Sequence, residues 1–256
     1  QAVAADYFIL VRGSKVSDGG SNPDNDYARV YRVPGGKGDL ADSGANDRLS
    51  LSRHVADHTW EGVVTVVEAL AGTDTAGFKL LDVVETSISG TGTSGTDSSG
   101  TAWGDINQVV LFGGYHGGGA EFEAAAGNSQ DGDVVYTRLY PSGSDTLNWT
   151  RVDNGNGALK DMTMTTFVVE WGSEWDVQRV HVSGTAAGGG ADSTGDYSTA
   201  AISAVTRDNA WVWGTGTSAG DGIGEDAEGT LITLGDGVNR NPGESSVAMG
   251  AENSFQ

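Results

Sequence analysis

Two glutamates, Glu170 and Glu174, bracket Trp171-Gly172-Ser173 and are followed by Trp175. Paired carboxylates beside aromatic platforms are the equipment of glycoside hydrolysis, in which one acid protonates the leaving oxygen and the other serves as nucleophile or base. On one continuous strand, residues four apart share a face but lie roughly 13 Å apart, beyond both catalytic separations. Only a turn at Gly172-Ser173 would bring them closer. Val66-Val67-Glu68 echoes Val168-Val169-Glu170 with no echo of Glu174 or Trp175, which favours an ordinary strand glutamate at 170. There is no cysteine nucleophile, and no Gly-x-Ser-x-Gly stands in a strand-turn-helix setting. The expectation is a protein that is not an enzyme, with no catalytic residues.

Metal chemistry has two candidate places. Asp18, Asp24 and Asp26 lie in the run Asp18-Gly19-Gly20-Ser21-Asn22-Pro23-Asp24-Asn25-Asp26, whose carboxylates and amides could give calcium the oxygen ligands it prefers. The run lacks the ordered alternation and terminal Glu of an EF-hand, so a solvated turn is the plainer alternative. His54 and His58 are four apart, but Val55 stands where a zincin helix needs Glu, and the neighbours are β-formers and turn residues. The glycine clusters 117–119 and 188–190 lack the Lys-Ser/Thr of a phosphate loop and read as backbone turns. No cofactor is expected beyond a possible structural calcium.

The elements that would carry these residues are strands. Residues 8–13, 109–114 and 211–216 are short β-former runs closed by glycine. Each is followed by a polar loop and a second run, at 27–33, 134–140 and 230–234. That is the pattern of strand-loop-strand hairpins. Pro34 and Pro141, which close the second run in two copies, are 107 positions apart, and Leu10 and Leu111 are 101 apart. Glu68 and Glu170 are 102 apart, and Ser89 and Ser183, each in a Ser-Gly-Thr, are 94 apart. One unit of about one hundred residues, repeated with loop insertions, accounts for all four anchors.

Between the hairpins, further strands are predicted at 49–55, 63–67, 78–85, 147–152, 162–171 and 175–182. The continuous run Val63-Val64-Thr65-Val66-Val67 suggests a strand buried on both faces. The Ser/Thr/Gly/Asp stretches 89–101 and 183–198 read as long loops, and 121–126 as the one short helix. The fold class that follows is all-β: two tandem β-sandwich or jelly-roll-like modules of about 100 residues with very little helix. The boundary is set at 132/133, giving a first module 1–132 (opening hairpin 5–33 plus interval 34–132) and a second module 133–256.

Composition narrows the partners. A formal net charge of −21 and a pI near 4.2, with only 14 Lys and Arg, argue against nucleic acid, whose phosphates need clustered cations. No apolar run has the length of about twenty needed to cross a bilayer as a helix. Seven Trp, seven Tyr and six Phe exceed what a disordered chain carries, despite 41 glycines. The chain starts at Gln1 without Met and ends soon after its third strand motif, so it is expected to be a processed or excised piece of a longer modular protein. Trp211 and Trp213 alternate and so share a face, either in a sandwich core or as a sugar-stacking surface. The core is favoured because the aligned Phe8, Leu10, Val109 and Leu111 are plain hydrophobes.

Several segments together, Trp60-Glu61-Gly62-Val63-Val64-Thr65-Val66-Val67-Glu68, Asp105-Ile106-Asn107-Gln108-Val109-Val110-Leu111-Phe112-Gly113-Gly114 and Val168-Val169-Glu170-Trp171-Gly172-Ser173-Glu174-Trp175, resemble repeat-bearing virion surface proteins of marine tailed bacteriophages. The resemblance runs over nearly the whole chain and carries no catalytic signature. It implies a fibre, spike or decoration protein at the virion surface or in the extracellular medium. The implied partners are other virion proteins, a host surface glycan or receptor, and further copies of itself, with a trimer favoured. The alternative is a carbohydrate-binding module of a secreted adhesin or lectin.

Overall fold

The structure, a computed structural model, describes residues 7–16, 29–32, 49–52, 59–68, 77–88, 92–113, 118–120, 137–151, 162–181, 197–206, 209–214, 229–234 and 246–252. Among them there is no α-helix, and every ladder is antiparallel. The strands in chain order are β1 (Tyr7–Val16), β2 (Arg29–Arg32), β3 (Leu49–Ser52), β4 (Thr59–Glu68), β5 (Phe78–Ile88), β6 (Ser94–Ser98) and β7 (Val109–Phe112). They continue with β8 (Gly118–Ala120), β9 (Arg138–Ser142), β10 (Thr146–Thr150), β11 (Met162–Trp171), β12 (Tyr197–Ala201), β13 (Gly229–Leu234) and β14 (Ser246–Glu252).

The centre of the molecule is β11, whose Thr, Val and Phe residues suit a pleated surface packed on both sides. It is flanked by β5 on one edge and by β7 and β8 on the other. Residues of one parity, Met164 and Val168, face one hydrophobic cluster, and those of the other, Phe167, Val169 and Trp171, face a second. The β5 ladder slips between Val168 and Val169, where two residues of β5, Leu81 and Asp82, stand against one of β11. This bulge switches the facing of β5, so that Leu80 and Val84, four residues apart, reach opposite clusters.

The first cluster lies between two sheets. Val84 and Ile88 of β5, Val109 and Leu111 of β7 and Met164 and Val168 of β11 meet Leu139 of β9 and Leu147 and Trp149 of β10, with Trp103 alongside. The second sheet has the order β6-β10-β9. β6 contributes almost no bulk, because Gly95 lies opposite Trp149 and a Cβ there would come within 2.5 Å of the indole. Thr86 of β5 donates to Asp97 of β6 at 2.9 Å, tying the two sheets together. Trp103 closes the end of this core: its indole N–H donates to the Gly143 carbonyl at 2.9 Å, in a turn where Gly143 has φ 58°.

Several sequence expectations are corrected. The paired runs are not hairpins: β1 pairs β4 while β2 pairs β3, and β7 pairs β11 while β9 pairs β10. Their long connections let the two runs enter different sheets. The run 63–67 is not buried on both faces, since Val63 is 67 % exposed and Val66 42 %. β4 has one hydrogen-bonded neighbour among the described residues, and only Val64 and Val67 of the run pack, partly buried, against the second cluster. The stretch 89–101 contains β6, and Gly118-Gly119 belongs to β8, so pairing rather than apolar content makes these strands. Residues 175–181 are not a strand. Residues 17–28, with Asp18, Asp24 and Asp26, and His54, His58 and the helix expected at 121–126 lie outside the described residues. Four ladders, β5 with β11, β7 with β11, β8 with β11 and β6 with β10, join strands on either side of the 132/133 division.

Candidate binding surface

Glu170 sits near the end of β11, and its Oε1 accepts the backbone N–H of Asp105 at 2.6 Å. Asp105 in turn caps a 3₁₀ turn, Ile106–Gln108, by accepting the Asn107 N–H at 2.9 Å. Glu170 therefore holds the loop that leads into β7. Gly104 is pressed against the same carboxylate, where a Cβ would lie 3.1 Å from Oε1.

Glu174 is on the turn that sequence reasoning required for any approach of the two carboxylates. Gly172 accepts the Trp175 N–H at 3.1 Å, and a Cβ on Gly172 would fall 2.6 Å from the Glu174 carboxylate. The turn exists, but it folds Glu174 over Gly172 while Glu170 turns to the Asp105 loop. One carboxylate is thus used as a backbone acceptor that braces the Asp105 loop, and the other is exposed.

The residues this end of the sheet does bring together are aromatic. Phe8 of β1 stacks on Phe112 of β7, with centroids 4.1 Å apart and planes within 6°. Trp211 continues the stack at 5.6 Å from Phe112 and 9°. Trp171 packs edge-on to Phe8 at 6.0 Å, and Trp175 lies 4.6 Å from Trp171. The interior rings are buried, whereas Trp175 is 43 % and Trp211 51 % exposed. Trp213, expected to share the core with Trp211, is half-buried against the second cluster. Two indoles thus rim a rigid aromatic floor, each offering an apolar face to solvent.

The polar surroundings fix this rim. Gln108 donates to the Trp175 carbonyl at 3.2 Å. Arg179 donates to the carbonyls of Val109 at 3.0 Å and Ile106 at 2.8 Å, and burial pulls its pKa below the usual value while Asp105 opposes the shift. Gln178 is held at both ends of its amide by Ser203, accepting from its N–H at 2.6 Å and donating to its carbonyl at 3.2 Å. Sequence reasoning favoured the core for Trp211, which is instead exposed, and did not point to Gln108, Arg179 or Trp103, because the carbonyls these side chains serve are set by the fold and leave no mark in spacing. Asn148, in a glycosylation triplet, donates to the Tyr140 carbonyl at 3.2 Å and to the Ser142 hydroxyl at 2.7 Å inside the β9-β10 ladder. Among the described residues no group of three or more His, Cys, Asp or Glu is arranged to hold a metal.

No family model, curated protein or solved structure matches the chain.

Proposed function

We propose that the chain is a non-enzymatic structural protein of a virion surface, of the fibre, spike or decoration kind, built of tandem β-sandwich units that present loops to a host. The observation that carries this reading is a recurrence of strand pairing. The sheet order β6-β10-β9 returns as β12-β14-β13, antiparallel throughout, about one hundred residues further along. The nested pairing of β1 with β4 around β2 with β3 returns as β7 with β11 around β9 with β10. Leu10 stands opposite Thr65 in the first nest, and Leu111 opposite Val168 in the second, within one position of the repeat offsets read from sequence.

In this reading the sequence units 1–132 and 133–256 are repeats, and one sandwich takes strands from both. β5 and β6 come from the first unit and β9, β10 and β11 from the second. Interleaving of this kind makes successive units inseparable, a useful property in a rigid extracellular scaffold. Repeated units also multiply weak attachment sites into avidity. The virion setting itself rests on the sequence resemblance and on the acidic surface, and calcium at Asp18, Asp24 and Asp26 remains part of the proposal.

Antibodies raised against the purified chain test the setting. They should decorate phage particles from the source material in electron micrographs, and decoration confined to cells would overturn it. Release of reducing sugar from polysaccharides that is lost in Glu170→Gln would overturn the non-enzymatic part.

The half-exposed Trp175 and Trp211 favour one second reading, a carbohydrate-binding module. Glycan binding by the soluble chain that disappears in Trp175→Ala and Trp211→Ala would favour it over a purely structural role.

A further inference from the structure

The two nests differ in one respect. β11 is paired on both edges, by β7 on one and by β5 on the other. β4 is its repeat counterpart and is paired by β1, the counterpart of β7, yet among the described residues nothing pairs with its other edge. Beside that edge stand the exposed Val63 and Val66.

The chain carries a second copy of the β5 sequence pattern. Asp82-Val83-Val84-Glu85-Thr86-Ser87-Ile88-Ser89-Gly90-Thr91 aligns with Asp176-Val177-Gln178-Arg179-Val180-His181-Val182-Ser183-Gly184-Thr185. Asp, Val, Ser, Gly and Thr are identical, and Val182 replaces Ile88. The described part of this second copy, 176–181, has no ladder partner and leaves Val180 39 % exposed. β5 lies against β1 through Phe78 and Phe8, 5.0 Å apart, and 176–181 lies against β7 through the Arg179 bonds to Val109 and Ile106.

We infer that residues 176–181 of one copy of this chain add as a strand to the edge of β4 left open among the described residues in a second copy, giving head-to-tail association. The pairing presupposes the repeat proposed above, and the β5–β11 ladder supplies its register. Val168 opposite Asp82 becomes Val66 opposite Asp176, and Thr165 opposite Glu85 becomes Val63 opposite Arg179. The register also puts Glu61 diagonal to Arg179, an acidic residue beside a cation of the other copy. Four exposed large hydrophobics would be gathered at or beside one interface: Val63 and Val66 on the acceptor, and Trp175 and Val180 on or next to the donor. Because donor and acceptor are different surfaces, the contact is heterologous and closes into a ring, a trimer among them, or continues as a filament. An unpaired strand edge is the expected template for such addition.

The absence of native cysteine makes disulfide mapping clean. Chains carrying only Val66→Cys are mixed with chains carrying only Asp176→Cys under mild oxidation. The expected result is a mixed disulfide dimer formed at least tenfold faster than with Val66→Cys and Val180→Cys, where the positions are roughly 13 Å out of register. A reference variant, Ser87→Cys with Thr163→Cys, probes the template ladder within one chain. If the reference bond forms and Val66 and Asp176 do not link, the assembly is overturned and the repeat stands. If the reference bond does not form, the template and the repeat both fail. Light scattering gives an independent readout. Mass should rise with concentration in the native chain and stay at the monomer in Val63→Asp/Val66→Asp with an unchanged circular dichroism spectrum; a native chain that stays monomeric up to millimolar concentration overturns the assembly.

Discussion

β4 and β11 descend from one pattern, Val-Val-Glu at the end of a β-branched strand, yet they sit in opposite environments. Val168 and Val169 are fully buried, while Val63 and Val66 are exposed. The intrinsic preference is the same; what differs is the second neighbour. β5 closes the edge of β11, and the sheet β6-β10-β9 covers one of its faces through the first hydrophobic cluster. Burial on both faces is therefore conferred by what the rest of the chain brings to a strand and cannot be read from its own residues.

Substitutions at matched positions widen this contrast most. Val168→Asp buries an unpaired carboxylate between the sheets and should cost about 4–5 kcal/mol or more, enough to unfold the domain. Val66→Asp in dilute protein should stay within about 0.5 kcal/mol of the native chain. Equal losses from the two in denaturant melts would erase the distinction between the strands.

Removing an aromatic ring comes next. Phe112 is fully buried and packs against both Phe8 and Trp211, so Phe112→Ala should cost about 3–5 kcal/mol, whereas Trp211→Ala, cutting a half-exposed ring, should cost far less. A smaller effect is expected at Gly113, where a Cβ would sit 2.5 Å from the Thr165 carbonyl of β11, an atom of the backbone that cannot swing away. Gly113→Ala should destabilise by about 1–3 kcal/mol, measured by thermal unfolding.

The smallest effect concerns Asp82 and its repeat counterpart Asp176. Partial burial raises the Asp82 pKa above 3.8, the Val83 N–H it accepts at 2.7 Å lowers it, and Asp97 raises it again. A carboxyl raised in the fold contributes stability when protonated. That contribution is complete below the unfolded value and is lost as pH rises through the folded one. At pH 7 the charged form carries a penalty, so Asp82→Asn should raise the melting temperature slightly, with the gain shrinking as the medium is acidified below the usual carboxylate range. Asp176 is exposed, and Asp176→Asn should leave the melting temperature of the monomer at pH 7 unchanged.

Strands whose residues themselves face a core were legible in the sequence. The run 162–171 was expected as a strand and is β11, and the runs at 78–85 and 147–152 overlap β5 and β10. β6 was hidden because its inward positions are Gly95, which makes room for the Trp149 indole, and Asp97, which accepts a hydrogen bond from Thr86. Its place is fixed by β10 alone. The expected hairpins misled because proximity in sequence suggested pairing, whereas each run finds its partner across a much longer loop. At the candidate surface the exposed indoles were readable as residue types, but the bracing of the Asp105 loop by Glu170 was not, since nothing in Trp-Gly-Ser-Glu-Trp foretells which backbone amide lies 2.6 Å away.

Amide hydrogen exchange by NMR in dilute solution addresses the difference between the two strands most directly. In β11 the amides on both edges should be protected to nearly the global unfolding limit. In β4 the amides directed at β1 should be protected and the alternating ones should exchange orders of magnitude faster, becoming slow only as concentration rises. Uniform protection along β4 in a chain shown to be monomeric would contradict the account.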